Sequence, residues 1–232
     1  MATLRSLEIC SGSGRWTKGL EKEGCNGTKH DILISASHDL RSDAYVHGIV
    51  HGDDGYDVAH CGVCCTTYSR KANPPYRSKD SILHLEDLTP KKLQKAKDAN
   101  AMAVNAAKIM ATLADNGTLC SIENPGESLL WEFYKQTGWE QTLMNKGFRY
   151  YVTVYCHYGT RYRKRTRFLA NYCMRAIEHK CRHKKHAEVL CGQKKYRGRW
   201  VARTLLANPY PHRLVLAWVK IIKTALRFKG KI

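Results

Sequence analysis

Acidic side chains nearly vanish from this chain after position 140. Residues 141–232 hold 23 lysines and arginines against Glu178 and Glu188 alone, a net of +21, while residues 1–140 hold 16 basic and 18 acidic residues, a net of −2. A bland surface does not segregate charge in this way, and a phosphate-rich polymer is the natural partner of the second half; a generally basic, solubilising surface is the alternative. No run of about 18 uncharged apolar residues exists, so no membrane-spanning helix is expected. "MATLRS" leads straight into the apolar "LEIC" and a glycine turn, which does not resemble a signal peptide. The ten cysteines lack the spacing of a disulfide scaffold, so reduced thiols in an intracellular protein are expected. Neither GxGxxG nor GxxxxGK[ST] occurs, which argues against a pyrophosphate site and for a smaller nucleoside cofactor.

What is present reads as alternating strands and helices. "SLEIC" is a strand that breaks into a glycine turn, and "RWTKGLEKEG" is a helix ending at Gly24. "DILISAS" is read as a second strand ending near His38 and Asp39, "YVHGIV" as a third, and "DVAHC" as the next, opening into "GVCCTTYS". The clearest helix starts at Thr89-Pro90 and stops at Asn116-Gly117, with Leu93, Ala96, Ala103, Ala107, Met110 and Leu113 on one face. "TLCSI" is a strand ending at Glu123-Asn124-Pro125. "FRYYVTVYC" and "RFLA" are further strands, and "RLVLAWVKIIKTAL" is an amphipathic helix. This alternation implies an α/β fold with a mostly parallel sheet covered on both faces. Ligands of such sheets bind beyond the carboxyl ends of the strands, where Gly12, Gly14, Asp39, Asp53, Cys65, Glu123 and Asn124 all fall.

Each motif has a chemical reading. Gly12 and Gly14 let the backbone approach a ligand closely, and an acid after strand two can hold ribose hydroxyls, although His38-Asp39 reads equally as a turn. Cys65 lies in a strand-end loop where a thiolate could be exposed to nearby cations; a bare cysteine is otherwise structural. Glu123 and Asn124 can bind the donor–acceptor edge of a nucleobase, and a neutral Glu can donate a proton to a ring nitrogen. "YGTRYRKRTRFLA" interleaves Tyr158 and Tyr162 with five cations, among which Arg163, Arg165 and Arg167 alternate; phosphate contact is the default role of such residues.

Taken in order, "EICSGSG", "GVCCTTYS", "IENP" and "RKRTR" resemble motifs I, IV, VI and VIII of the DNA cytosine-5 methyltransferases, and "LANPYPHRLVLAWVKII" resembles their motif X. The resemblance runs from about residue 4 to 225 and is closer to the compact, divergent members of phages and eukaryotic mobile elements. It implies a Rossmann-like class I methyltransferase fold, S-adenosylmethionine as methyl donor, and DNA as the substrate, with nuclear location if the source is eukaryotic. In that family a cysteine attacks carbon 6 of a flipped-out cytosine, a Glu assists at ring nitrogen 3, and carbon 5 takes the methyl group. Cys65 aligns with the nucleophile, Cys64 stands where the family has proline, and Glu123 and Asn124 match the Glu-Asn pair. Arg165 and Arg167 match the Arg-x-Arg that braces the base and nucleophile loop. Glu8, Cys10, Gly12 and Gly14 fall on the cofactor motif, Asp39 on the ribose binder and Asp53 on the adenine contact. Ser69, Arg163, Lys184, Lys185, Lys194 and Lys195 are the expected nucleic-acid contacts. Arg163 replaces the glutamine of motif VIII, Cys10 replaces the phenylalanine of motif I, and no large target-recognition domain separates motifs VIII and X, so slight sequence selectivity is expected. A catalytically silent DNA-binding relative and an RNA methyltransferase are the rival readings.

The expected organisation is a catalytic core over residues 1–176, a small basic Cys/His-rich insert over 177–200, and a segment over 201–232 that completes the core. Within the insert, Cys181, His183, His186 and Cys191 have the ligand types and short spacings to hold zinc, while a phosphate-contacting loop explains them as well.

Overall fold

The computed structural model describes residues 3–52, 55–190, 192–196 and 198–232. Its elements are β1 (Arg5–Ile9), α1 (Arg15–Glu21), β2 (Asn26–His30), α2 (Asp43–His51), β3 (Val58–Gly62), α3 (Pro90–Asp115), β4 (Leu119–Pro125), α4 (Leu130–Gln136), α5 (Trp139–Asn145), β5 (Arg149–Val154), β6 (Arg165–Ala170), β7 (Gln193–Tyr196), β8 (Arg199–Ala202), α6 (Arg203–Leu206) and α7 (His212–Phe228). Six strands form one sheet in the order β2-β1-β3-β4-β6-β5. The first four run parallel, and β6 is antiparallel to both β4 and β5. The mostly parallel sheet expected from the alternation is therefore present, with an exposed β7–β8 hairpin beside it.

Two apolar layers cover the sheet because successive strand residues point to opposite faces. Leu7 and Ile9 of β1, Ala59 and Cys61 of β3, and Ile122 of β4 pack against α2, α3, α4 and α5. Val58, Leu119 and Phe168 face the other way, onto α1 and α7. Trp218 of α7 anchors that second layer, fully buried against Trp16, His60 and Phe168. Gly19 permits the approach of α7 to α1, since a Cβ there would lie 2.3 Å from Val215 Cγ1. No helix among the described residues is long and apolar enough to cross a membrane.

Two expected strands are corrected. The strand after α1 is the polar "NGTKH", paired residue for residue with β1, and "DILISAS" follows it as a turn. Asp31 stops the strand: its carboxylate accepts the backbone N–H of Leu33 and its carbonyl accepts those of Ile34 and Ser35. "YVHGIV" lies in α2, where Tyr45, Val46 and Ile49 are buried at helical spacing.

Candidate active site

The sheet order changes direction between β1 and β3, so their following loops diverge and leave a crevice at the carboxyl ends. The loop after β1 is a glycine cradle. Cys10, Gly12 and Gly14 have φ of 55°, 49° and 61°, and Cys10 is the one non-glycine in that region among the described residues. A Cβ on Gly12 would meet nothing within 4 Å, so the turn opens onto free space that a ligand can fill. Glu8, buried, is turned beneath this loop, where its carboxylate accepts the backbone N–H of Thr17 at 3.0 Å and the Thr17 hydroxyl. It caps the first turn of α1, which lacks a side-chain cap of its own. Burial raises the Glu8 pKa.

The acid beside the cradle is Asp31, whose Oδ2 accepts Gly12 N–H at 2.9 Å. Asp39 ends a 3-10 turn nine positions beyond β2, and its carboxylate is held by Arg41, with Nε at 2.8 Å and Nη2 at 2.6 Å. Hydrogen bonds from Arg41 lower the Asp39 pKa. The placement of Asp39 at a strand end is thus corrected, because the strand finishes at His30. Asp53 lies outside the described residues.

The loop that carries Cys64 and Cys65 begins where β3 ends at Gly62. Asn124 Nδ2 donates to Val63 O at 2.6 Å, which fixes the loop's entry to the end of β4. Buried Arg77 fixes its exit: Nε donates to Thr67 O at 3.1 Å, Nη2 to Thr67 Oγ1 at 3.0 Å, and Nη1 to Asn100 Oδ1 at 2.6 Å. Its guanidinium also lies 4.0 Å from the Tyr68 ring. These ties hold the loop on both sides of Cys64 and Cys65. Cys64 is exposed, while Cys65 is partly buried with its thiol pushed up to about 11, first by desolvation and then by the charge of Glu123, with Lys164 opposing.

Glu123 is buried at the end of β4. Its Oε2 accepts from Tyr210 O–H at 3.3 Å, and its Oε1 lies 3.8 Å from Lys164 Nζ with no hydrogen bond. Burial raises its pKa, opposed by Lys164. Asn124 Oδ1 is likewise buried without a partner. Successive strand residues alternate, so Glu123 faces the α7 side with its Oε1 open, while Asn124 faces the other side and holds the Cys64–Cys65 loop through Val63.

Behind Glu123 a chain of buried polar groups crosses the layer of α7. Tyr210 O–H meets His60 Nε2 at 2.8 Å, His60 Nδ1 meets Ser121 Oγ at 3.0 Å, and Trp218 Nε1 donates to Tyr172 O–H at 2.7 Å, which reaches Ser121 at 3.4 Å. Desolvation lowers the His60 pKa to about 3, so the ring is neutral, with one nitrogen donating and the other accepting a hydrogen bond along the chain. An unfolded chain binds a proton here below pH 6.5, whereas the folded protein does not until about pH 3. Stability is therefore expected to fall on acidification through this window, with His60 contributing about 1.4 kcal/mol per pH unit. Denaturant unfolding between pH 7 and 4.5 checks this: His60→Gln should show a slope smaller by one proton, and equal slopes would refute the assignment.

The cations at β6 divide their work differently from expectation. Lys164 is the inward one, over the Tyr155 ring at 4.7 Å and beside Glu123. Arg165 pairs with Glu127 at the surface, and Arg167, opposite Asn124 in the ladder, lies over Trp131 and Tyr150 at 5.6 and 5.2 Å. The pair thus braces the end of β4 and the chain after it. Arg163 is exposed and lines a groove with Arg165, His179 and Lys180. Ser69 turns the loop onward, its Oγ accepting Lys71 N–H at 3.2 Å. Lys184, Lys185 and Lys195 are exposed on the insert, and the Lys194 side chain lies outside the described residues, as does Cys191. Cys181, His183 and His186 come together, joined by Cys156. Lys164, His60, Tyr210 and Cys156 were not singled out from sequence. Only Tyr210 carried a signal, its place in "NPYP".

No protein-family model matches the sequence and no curated protein is similar to it. Solved structures similar in fold include a prophage-encoded Escherichia coli protein described as a DNA modification methyltransferase, at 12% identity and a TM-score of 0.44 over 72% of this chain and 46% of that one. Others are the Entamoeba histolytica methyltransferase EhMeth, at 15% identity and a TM-score of 0.44 over 73% and 53%, and a Spodoptera frugiperda DNMT2 mutant, at 15% and 0.43 over 81% and 54%. The chain spans about half the length of each of these structures.

Proposed function

We propose that the protein transfers a methyl group from S-adenosylmethionine to carbon 5 of cytosine in DNA through a covalent bond from Cys65. The observation that carries this reading is Glu123, buried at the end of β4 with Oε1 unpartnered, close enough to the loop-borne Cys65 for its charge to act on the thiol. A cytosine edge offers a ring nitrogen that a neutral Glu can protonate. The Cys65 thiol gives its proton to water, Sγ bonds to ring carbon 6, and the Glu123 proton passes to ring nitrogen 3. Carbon 5 becomes nucleophilic; after methylation its proton passes to water, the freed electron pair expels Sγ from carbon 6 as thiolate, and the proton on nitrogen 3 returns to Glu123. S-adenosylmethionine would supply an electrophilic methyl group. The cradle of Cys10, Gly12 and Gly14 fits it, because the left-handed turn leaves open space at Gly12 in which a ligand can approach the backbone closely. The target base has to leave its helix to reach Cys65, and the basic second half supplies the phosphate contacts that hold the strand.

Asp31 is the better-placed ribose acceptor, next to Gly12 and followed by the exposed apolar side chains of Ile32 and Leu33, which can cover an adenine face. Calorimetry with S-adenosylmethionine is expected to show at least tenfold weaker binding for Asp31→Ala and Gly14→Val, the latter forced into a left-handed backbone with Lys29 Cδ 2.8 Å from its Cβ. Asp39→Ala should change affinity only a few-fold; the reverse order would return the ribose to Asp39. The test of the activity itself is labelled-methyl transfer to DNA and RNA of one sequence, with the product base identified by mass. Label in 5-methylcytosine of DNA is expected. Preferred labelling of RNA would move the substrate, and binding of cofactor and DNA without transfer would favour a silent relative.

A further inference from the structure

The insert and the end of β5 meet beside the groove lined by Arg163 and Arg165. Cys156, in the 3-10 turn after β5, stands with Cys181, His183 and His186, and one ligand atom from each lies within 4.8 Å of all the others. Cys181 Sγ is 3.6 Å from His183 Nδ1 and 3.3 Å from His186 Nε2. Bond lengths of about 2.3 Å to sulfur and about 2.0 Å to nitrogen around a tetrahedral ion place such S···N pairs roughly 3.5 Å apart. These two edges match, and the others, all within 4.8 Å, need shorten by no more than about 1 Å to close on an ion.

Ordinary packing does not explain this convergence. Cys156 is buried, but Cys181 is only partly so and His183 is exposed, so no apolar contact draws them together. His157 and His179 stack at 3.5 Å on the same side and bring the two segments side by side.

We propose that Cys156, Cys181, His183 and His186 bind one structural zinc ion, with Cys156 rather than Cys191 as the second thiolate. Two thiols lose their protons on binding, and the closed site of two thiolates, two neutral imidazoles and Zn²⁺ carries no net charge. Four protein ligands leave no open position, so the ion is structural rather than catalytic. Its effect is geometric: it ties residues 181–186 to the core and holds Arg182, Lys184 and Lys185 outward, next to the groove lined by Arg163, Arg165 and Lys180. That last role rests on the nucleic-acid reading above; the metal site does not.

The full chain, purified under reducing conditions from zinc-supplemented cells, is expected to contain about one zinc per chain by elemental analysis. Cys156→Ser and His186→Ala should retain less than a tenth of it, and Cys191→Ser should retain all of it. Cobalt titrated into the chelated wild-type protein should give the thiolate-to-cobalt charge-transfer and intense visible bands of a tetrahedral site, a readout that needs no variant to fold. Trypsin should cut after Arg182, Lys184 and Lys185 at least tenfold faster once the metal is removed. Absence of both stoichiometric zinc and the cobalt spectrum in protein with reduced thiols would overturn the site. Metal lost in Cys191→Ser but kept in Cys156→Ser would overturn the ligand set. Unchanged trypsin cleavage after chelation would overturn the tethering role.

Discussion

A denaturant-resistant complex joined through Cys65 is the expected product of mixing the protein with S-adenosylmethionine and duplex DNA containing 5-fluorocytosine. Attack at carbon 6 and methylation at carbon 5 can proceed, but fluorine cannot leave as a proton does, so the Sγ–C6 bond persists. Cys65→Ala should abolish the complex, while Cys64→Ser should retain it, since the exposed Cys64 thiol hydrogen-bonds only to Thr66, at 3.5 Å. Peptide mapping that found the base on Cys64 would shift the register by one residue. No adduct despite bound DNA and cofactor would refute covalent catalysis. The free thiol gives a further check. Burial and Glu123 push Cys65 up to about 11, so its thiolate fraction rises about tenfold per pH unit below that value. Its alkylation by iodoacetamide in the absence of DNA should follow that rise from pH 7 to 10, and a plateau by pH 8 would contradict the burial argument.

Methyl transfer itself should behave differently, and the difference identifies Glu123. The reaction needs Cys65 deprotonated and Glu123 protonated, and the two fractions change in opposite directions with pH. Between the raised Glu123 pKa and the Cys65 value, each pH unit gains tenfold in thiolate and loses tenfold in neutral carboxyl. Their product is constant there, so single-turnover transfer should be nearly flat with pH between the two values. Glu123→Gln removes the proton donor, and a loss of about 10²- to 10⁴-fold is expected. Its residual rate should recover the tenfold-per-unit rise of the thiolate alone. A flat profile in both proteins would show that Glu123 does not supply the proton. Tyr210→Phe, which removes one hydrogen bond to Glu123, should keep the flat profile at a lower rate.

What the sequence made legible was whatever burial patterns directly. The helix from Pro90 to Asp115 follows from a first-turn proline and a repeating small apolar face, and β3 and β4 from short runs buried on both sides. Residues 26–37 were misread because the edge strand "NGTKH" has little apolar surface to bury, whereas Ile32, Leu33 and Ile34 are exposed in a turn fixed by Asp31. The β-branched residues of "YVHGIV" likewise masked helical spacing. Cys65, Glu123 and Asn124 stood out because apolar runs mark where strands end, and the structure puts Cys65 just after β3 and Glu123 and Asn124 in the last residues of β4. Tyr210 and His60 were not, because Tyr210 reaches Glu123 from 87 positions away and His60 from 150, and no local pattern records such closure.

Chain direction in a single strand has a further consequence. Because β6 runs against its neighbours, the residues that enter it, rather than those that leave it, are delivered to the edge where β3 and β4 end. The sequence "RKR" immediately before and at the start of β6 is thereby brought to the crevice, and the chain needs no loop of its own to carry cations there. A parallel strand of the same composition would have dispatched those charges to the opposite rim. Polarity of one strand is thus the compass by which a short basic segment finds the acid and the thiol, and it frees the stretch between β6 and α7 to vary in length without dislodging them.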